Sequence, residues 1–133
     1  MSLEYKREIK SWTVAFSVSI VKLTKELENK GIPFAIINQI LRSGTSIGAN
    51  VHEGKSSSSE RELVRYLSIS LKSANETEYW LKIIIEAYAF ESDTIKECQK
   101  ELTELQKVLA TIIIKLKSKQ TVKKQIKFEA QYF

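Results

Sequence analysis

The stretch "GANVHEGKSS", Gly48 to Ser57, decides between two folds. It comes within one residue of a phosphate-binding loop, which needs Gly, four residues, then Gly-Lys-Ser/Thr. Counting back from Gly54-Lys55-Ser56, the first glycine belongs at position 49, where the chain has Ala49. Such a loop follows a buried β-strand and opens a helix, so that backbone amides converge on phosphate. The residues before this one are spaced as a helix instead. Ile37, Ile40, Gly44, Ile47 and Val51 recur at steps of three and four. No strand pattern elsewhere supplies a sheet, and no apolar run ending in Asp is placed to hold magnesium. The stretch therefore reads as the end of a helix that stops at Gly54, followed by the polar linker "KSSSSE".

Outward from that point the chain reads as four helices. The first runs from about Leu3 to Asn29, with Ile9, Trp12, Phe16, Ile20, Leu23 and Leu27 on one stripe. Val14, Val18 and Val21 widen its apolar face. Gly31 and Pro33 stop it, and Pro33 opens the second helix, which reaches about Glu53. Ser59 and Glu62 form a possible capping box for the third helix, which ends near Phe90. Its stripe is Leu63, Leu67, Ser70, Ala74, Thr77, Leu81, Ile84 and Tyr88. Ser92 or Asp93 caps the fourth. Ile95, Cys98, Leu102, Leu105, Leu109, Ile112 and Leu116 then make a seam about three heptads long. After Leu116 the pattern fails. All four glycines and the single proline lie between residues 31 and 54, so nothing breaks the helices beyond Gly54. Short connections make neighbours antiparallel. The expected fold is an all-α, antiparallel up-down-up-down four-helix bundle over residues 1–118, with a Lys-rich C-terminal tail over 119–133.

Composition excludes several classes of function. One cysteine, Cys98, rules out an intramolecular disulfide, and one histidine, His52, leaves no Cys/His metal cluster. A bundle di-iron site wants Glu-x-x-His, but the residue three before His52 is Ala49. Cys98 lies on the seam and reads as a small buried residue rather than a nucleophile. No catalytic, cofactor or metal residues are assigned, and an enzyme is not expected. No apolar run approaches the roughly 20 residues of a membrane span, so no membrane role is expected and the default location is cytoplasmic. The net charge of +5 permits nucleic-acid binding without demanding it.

Two features of the sequence stand out as candidates. Gly44 and Gly48 share a helix face, where missing side chains let another helix approach closely. Arg42, Ser46, Asn50 and Glu53 form a polar stripe opposite that face: either an ordinary solvated surface or a network against another subunit. Arg42 would need a partner on another helix, Glu76 or Glu78. The C-terminal segment carries Lys115, Lys117, Lys119, Lys123, Lys124 and Lys127, with no acid until Glu129. Such lysines can neutralise phosphates, and Phe128, Tyr132 and Phe133 offer stacking surfaces; a solvated tail is the plain alternative.

The block Leu41–Ala87 resembles the bacterial four-helix-bundle family encoded in intervening sequences of large-subunit ribosomal RNA genes. The resemblance rests on Leu41-Arg42-Ser43, Thr45 to Asn50, Glu53, the Ser-rich turn, Glu76-Thr77 and Tyr79-Trp80-Leu81. It implies a closed bundle and homo-oligomers, with pentameric barrels as the associated assembly. The related accessory protein of diversity-generating retroelements binds nucleic acid and a reverse transcriptase. The resemblance brings no catalytic residues. It marks Arg42, Ser46, Asn50, Glu53, Glu76 and Trp80 as signature positions, and it does not extend to the Lys-rich segment. The resulting expectation is a non-enzymatic homo-oligomer that binds RNA, DNA or a nucleic-acid-handling protein. The alternative is a structural or protein–protein interaction module without nucleic-acid binding.

Overall fold

The computed structural model describes residues 8–132. Four helices account for nearly all of them: α1 (Ile9–Asn29), α2 (Phe34–Lys55), α3 (Glu60–Tyr88) and α4 (Asp93–Tyr132). Among the described residues there is no strand. Consecutive helices pack side by side, and α1 closes the ring against α4. With connections this short, neighbours run antiparallel, which is the up-down-up-down bundle.

The caps explain the boundaries. Glu8 caps α1, its carboxylate accepting from the amides of Lys10 at 3.0 Å and Ser11 at 2.8 Å. These amide bonds, Ser11's foremost, hold the Glu8 carboxyl below its ordinary range. The described helix begins at Ile9; the expected start near Leu3 lies outside the described residues. Gly31 sits at φ +73, a left-handed conformation that suits glycine, and Pro33 precedes α2. Ser59 caps α3 by accepting from the Glu62 amide at 3.1 Å. Glu62 does not complete the capping box, because its carboxylate accepts from Arg65 at 3.0 Å instead. Ala89, at φ 49, ends α3 immediately before Phe90, and Ser92 caps α4 through the Ile95 amide at 3.2 Å.

Gly54 does not stop α2. The helix runs through it to Lys55, and Ser56 is the cap. Gly54 is buried where α2 meets α3: a Cβ there would lie 3.0 Å from Tyr66 Cβ and 3.1 Å from Leu63 Cδ1. The glycine is there for helix–helix contact rather than termination.

The core follows the seams. Trp12, Ile20, Leu23, Leu27, Ile40, Ile47, Leu81, Ile84, Leu105 and Leu109 are almost wholly excluded from solvent. Val14, Val18 and Val21 do not join it; each stays more than 40% exposed on the outer side of α1. Tyr88 is also exposed rather than the end of the α3 stripe. At the start of α3 it is Val64 that is buried, while Leu63 is only partly so. Three buried hydroxyls tie α2 to α3. Ser70 donates to the Ile47 carbonyl at 2.8 Å, and the Thr77 hydroxyl donates to the Ser73 carbonyl at 2.7 Å and lies in hydrogen-bond contact with Ser43 Oγ at 3.0 Å. Satisfying these groups internally removes the penalty of burying them.

Helix α4 does not end where the seam ends. Ile113 is its last buried side chain and Leu116 its last partly buried apolar one, yet the helix continues to Tyr132. The expected C-terminal tail is thus a helical arm of roughly 24 Å beyond Leu116, at 1.5 Å per residue. The reason lies in nucleation. The bundle has already nucleated α4, so the arm only has to propagate, and its Lys, Gln and Glu residues are good helix formers without a Gly or Pro.

A candidate basic arm and signature face

The arm is where the charge is. Six of the 21 basic residues and one of the 16 acidic residues lie in 115–133, which leaves 15 of each in residues 1–114. The whole net charge of +5 therefore belongs to the last 19 residues, and the bundle proper is neutral.

Lys115, Lys117, Lys119, Lys123, Lys124 and Lys127 are all exposed. Lys119, Lys123 and Lys127 recur at four-residue steps, on the same side of α4 as Leu105, Leu109 and Leu116. Past the end of the bundle, then, the seam continues in register with lysine where leucine had been. Helical periodicity aims these lysines across the end of the bundle, towards the start of α3. Two contacts verify the direction. Glu60, the first residue of α3, binds Lys119 Nζ at 2.9 Å and Lys123 Nζ at 3.5 Å, one through each carboxylate oxygen. The Lys119 hydrogen bond holds the Glu60 carboxyl below its ordinary range. Phe128 is half exposed, and so are Val122 and Ile126. Phe133 and the side chain of Tyr132 lie outside the described residues.

The signature positions form a second region, on α2 and α3. Arg42 pairs with Glu76, and its guanidinium also donates to Gln39 at 2.8 Å. Glu76 Oε2 accepts the Trp80 indole N–H at 3.1 Å, so one carboxylate orients both side chains. Trp80 meets Tyr79 edge to face, with centroids 5.2 Å apart. Glu78 turns the other way, accepting from Gln106 at 2.8 Å and pairing with Lys82 at 3.1 Å. The Gln106 hydrogen bond, followed by the Lys82 one, holds its carboxyl below the ordinary range. The remaining stripe bonds along its own helix: Ser46 donates to the Arg42 carbonyl at 2.6 Å and Asn50 to the Ser46 carbonyl at 2.8 Å. Glu53 is exposed one turn beyond.

The two interior glycines set how near α1 comes to α2. A Cβ at Gly44 would lie 2.8 Å from Ile20 Cγ1 and 2.9 Å from Ile20 Cγ2. One at Gly48 would lie 3.1 Å from Thr13 Cβ and 3.2 Å from the Thr13 carbonyl oxygen. On the outside of this crossing, Val14, Val18 and Val21 line a shallow apolar groove with Ala49 and His52. Sequence reasoning missed this groove because the valine spacing is that of a core stripe. Only the location of the true core, one face over, shows that it points outward.

Burial, with help from Glu26, Glu97 and Glu101, pushes the Cys98 thiol up to about 11, which makes it a poor nucleophile. Among the described residues no group of three or more His, Cys, Asp or Glu side chains could hold a metal ion. Among them, too, no helix is long and apolar enough to cross a membrane.

The architecture defines the class: a closed all-α four-helix bundle. The chain belongs to the family of 23S rRNA-intervening sequence proteins, which it matches over residues 6–111. It is also similar to a solved structure from Bacteroides thetaiotaomicron, described as a protein with unknown function from the S23 ribosomal protein family. The two are 40% identical and superpose with a TM-score of 0.75, over 80% of this chain and 98% of the other. No curated protein matches the chain. The family match ends at residue 111, before the first lysine of the arm.

Proposed function

We propose that this protein is a non-enzymatic homo-oligomer that binds RNA or DNA, and that the arm of α4 makes the contact. The observation that carries the reading is the separation of charge: a neutral bundle bearing a helix with five net positive charges. Lysines on a preformed helix can neutralise phosphates without ordering a chain first.

Self-association is supported by the outer face of α1 and α2. Exposed valines at 14, 18 and 21 beside Ala49 form an apolar strip of the kind that a second copy covers. Arg42, Ser46, Asn50 and Glu53 lie on the outward side of the neighbouring helix and would border such a contact. A structural or protein-interaction module without nucleic-acid binding is the second reading, favoured by that same face.

Removing residues 117–133 separates the two. On the first reading, the shortened protein keeps its oligomeric mass but loses affinity for RNA and DNA. If the full chain binds neither at low salt, the second reading stands. A light-scattering mass near the protomer's 15.3 kDa removes self-association from both.

A further inference from the structure

Glu60 occupies an unusual position. It is the acid that grips the basic arm, and it grips two lysines at once. Lys119 and Lys123 sit four residues apart on one side of α4, and a carboxylate between them is the arrangement that a phosphate would need. Lys119 and Lys123 are still more than half exposed, and the Glu60 side chain is about one-third exposed, so solvent and a polyanion can both reach the cluster. The neighbouring acid on the same turn, Glu62, points to Arg65 and leaves the arm alone.

We infer that Glu60 is an internal competitor of nucleic-acid phosphate, which occupies Lys119 and Lys123 until phosphate displaces it. This rests on the proposed nucleic-acid reading and adds a regulatory element to it. With Glu60 in place, part of the arm's charge is already neutralised, so binding is weaker than six lysines would give. Displacement costs the exposed Glu60 pairs little, because solvent screens them. A phosphate diester that replaces Glu60 gains two charge-assisted contacts and leaves the carboxylate hydrated. The arm is then also released from the start of α3 and can turn towards its ligand.

The test uses the full chain, a short fluorescein-labelled single-stranded RNA and a duplex DNA, with anisotropy read across a salt series. Glu60→Gln should bind more tightly than the unaltered protein. The bound state contacts the same phosphates in both proteins, so the slope of log affinity against log salt should change little. The gain is the cost of freeing two exposed pairs, about two- to tenfold at low salt. Glu62→Gln removes the same charge from the same turn and should gain less. Placing Glu60→Gln in a Lys119→Gln/Lys123→Gln background should abolish its gain. Equal gains from the two glutamate variants would mean bulk charge alone and would overturn the inference. So would an unchanged or weakened Glu60→Gln. If the unaltered chain binds and only these outcomes fail, the arm reading survives. If neither the unaltered chain nor Glu60→Gln binds either probe, both fall together.

Discussion

Gly44→Ala offers a quantitative check on how α1 and α2 are held. In an open helix this change is stabilising by about 1 kcal/mol, because alanine restricts the unfolded chain and favours the helix. Here the new methyl would meet Ile20 Cγ1 at 2.8 Å, Cγ2 at 2.9 Å and Cδ1 at 3.1 Å. Two of those atoms branch from the Ile20 Cβ, so no rotamer removes both from the path, and Ile20 is fully buried. Overpacking of this kind costs about 1–3 kcal/mol. The sum is a net destabilisation of about 0–2 kcal/mol in place of a gain. The Ile20→Ala background separates the two terms. That change alone costs about 2–5 kcal/mol, but it clears the space, so Gly44→Ala should then stabilise by about 1 kcal/mol. Urea unfolding of the four proteins, at one protomer concentration, gives the coupling energy, expected at about 1–3 kcal/mol. If Gly44→Ala stabilises equally in both backgrounds, the close approach argued for α1 and α2 is wrong.

Four further predictions concern other parts of the molecule. Glu76→Ala should cost no more than about 1–2 kcal/mol, since Arg42 and Glu76 are both partly exposed, yet it should shift Trp80 fluorescence by freeing the indole N–H. An unchanged emission spectrum would argue against the shared carboxylate. Cys98 should resist iodoacetamide in the native protein at pH 8 and react only on unfolding; rapid native labelling would contradict its burial. The same thiol makes stability pH-dependent. Its folded value, about 11, lies above the ordinary 9.0, so the native state holds the proton more tightly. That contribution is present below about pH 9 and is lost as pH rises towards 11, which a thermal melt series for the protein and its Cys98→Ala variant would detect. Removing residues 117–133 should leave the melting temperature nearly unchanged, because that segment contributes no side chain to the core; a large drop would mean that the arm is part of the folded unit.

Most of the bundle was legible because its signals are periodic. Ile9, Trp12, Phe16, Ile20, Leu23 and Leu27, read as one stripe, are all buried. The placements that differ share a physical cause: a short-range signal whose meaning depends on what lies across from it. Gly54 looked like a stop because glycine often ends helices, yet Tyr66 and Leu63 across the gap make it a contact residue. Val14, Val18 and Val21 have core chemistry but face outward, since one helix can present only one face to a four-membered ring. Glu62 had the spacing for a capping box, and Arg65, one turn along, took its carboxylate. The end of α4 was hidden because the hydrophobic pattern stops at Leu116, while backbone propensity carries the helix on to Tyr132. Arg42 needed a partner from another helix, and of the two acids open to it the structure selects Glu76. Glu60 could not have been matched to Lys119 from spacing alone, since 59 residues separate them.

The central claim is that the arm carries the protein's affinity for nucleic acid. Its most direct test is the salt dependence of RNA and DNA binding by the full chain, compared with Lys117→Gln/Lys124→Gln/Lys127→Gln, a triple variant that leaves both Glu60 pairs intact. The account predicts measurable binding at low salt, a fall in affinity with rising salt, and a slope shallower in the triple variant by up to about 2.7 on duplex DNA and about 2.1 on single-stranded RNA. An identical slope and affinity for the two proteins, or no binding by the full chain at low salt, would contradict it.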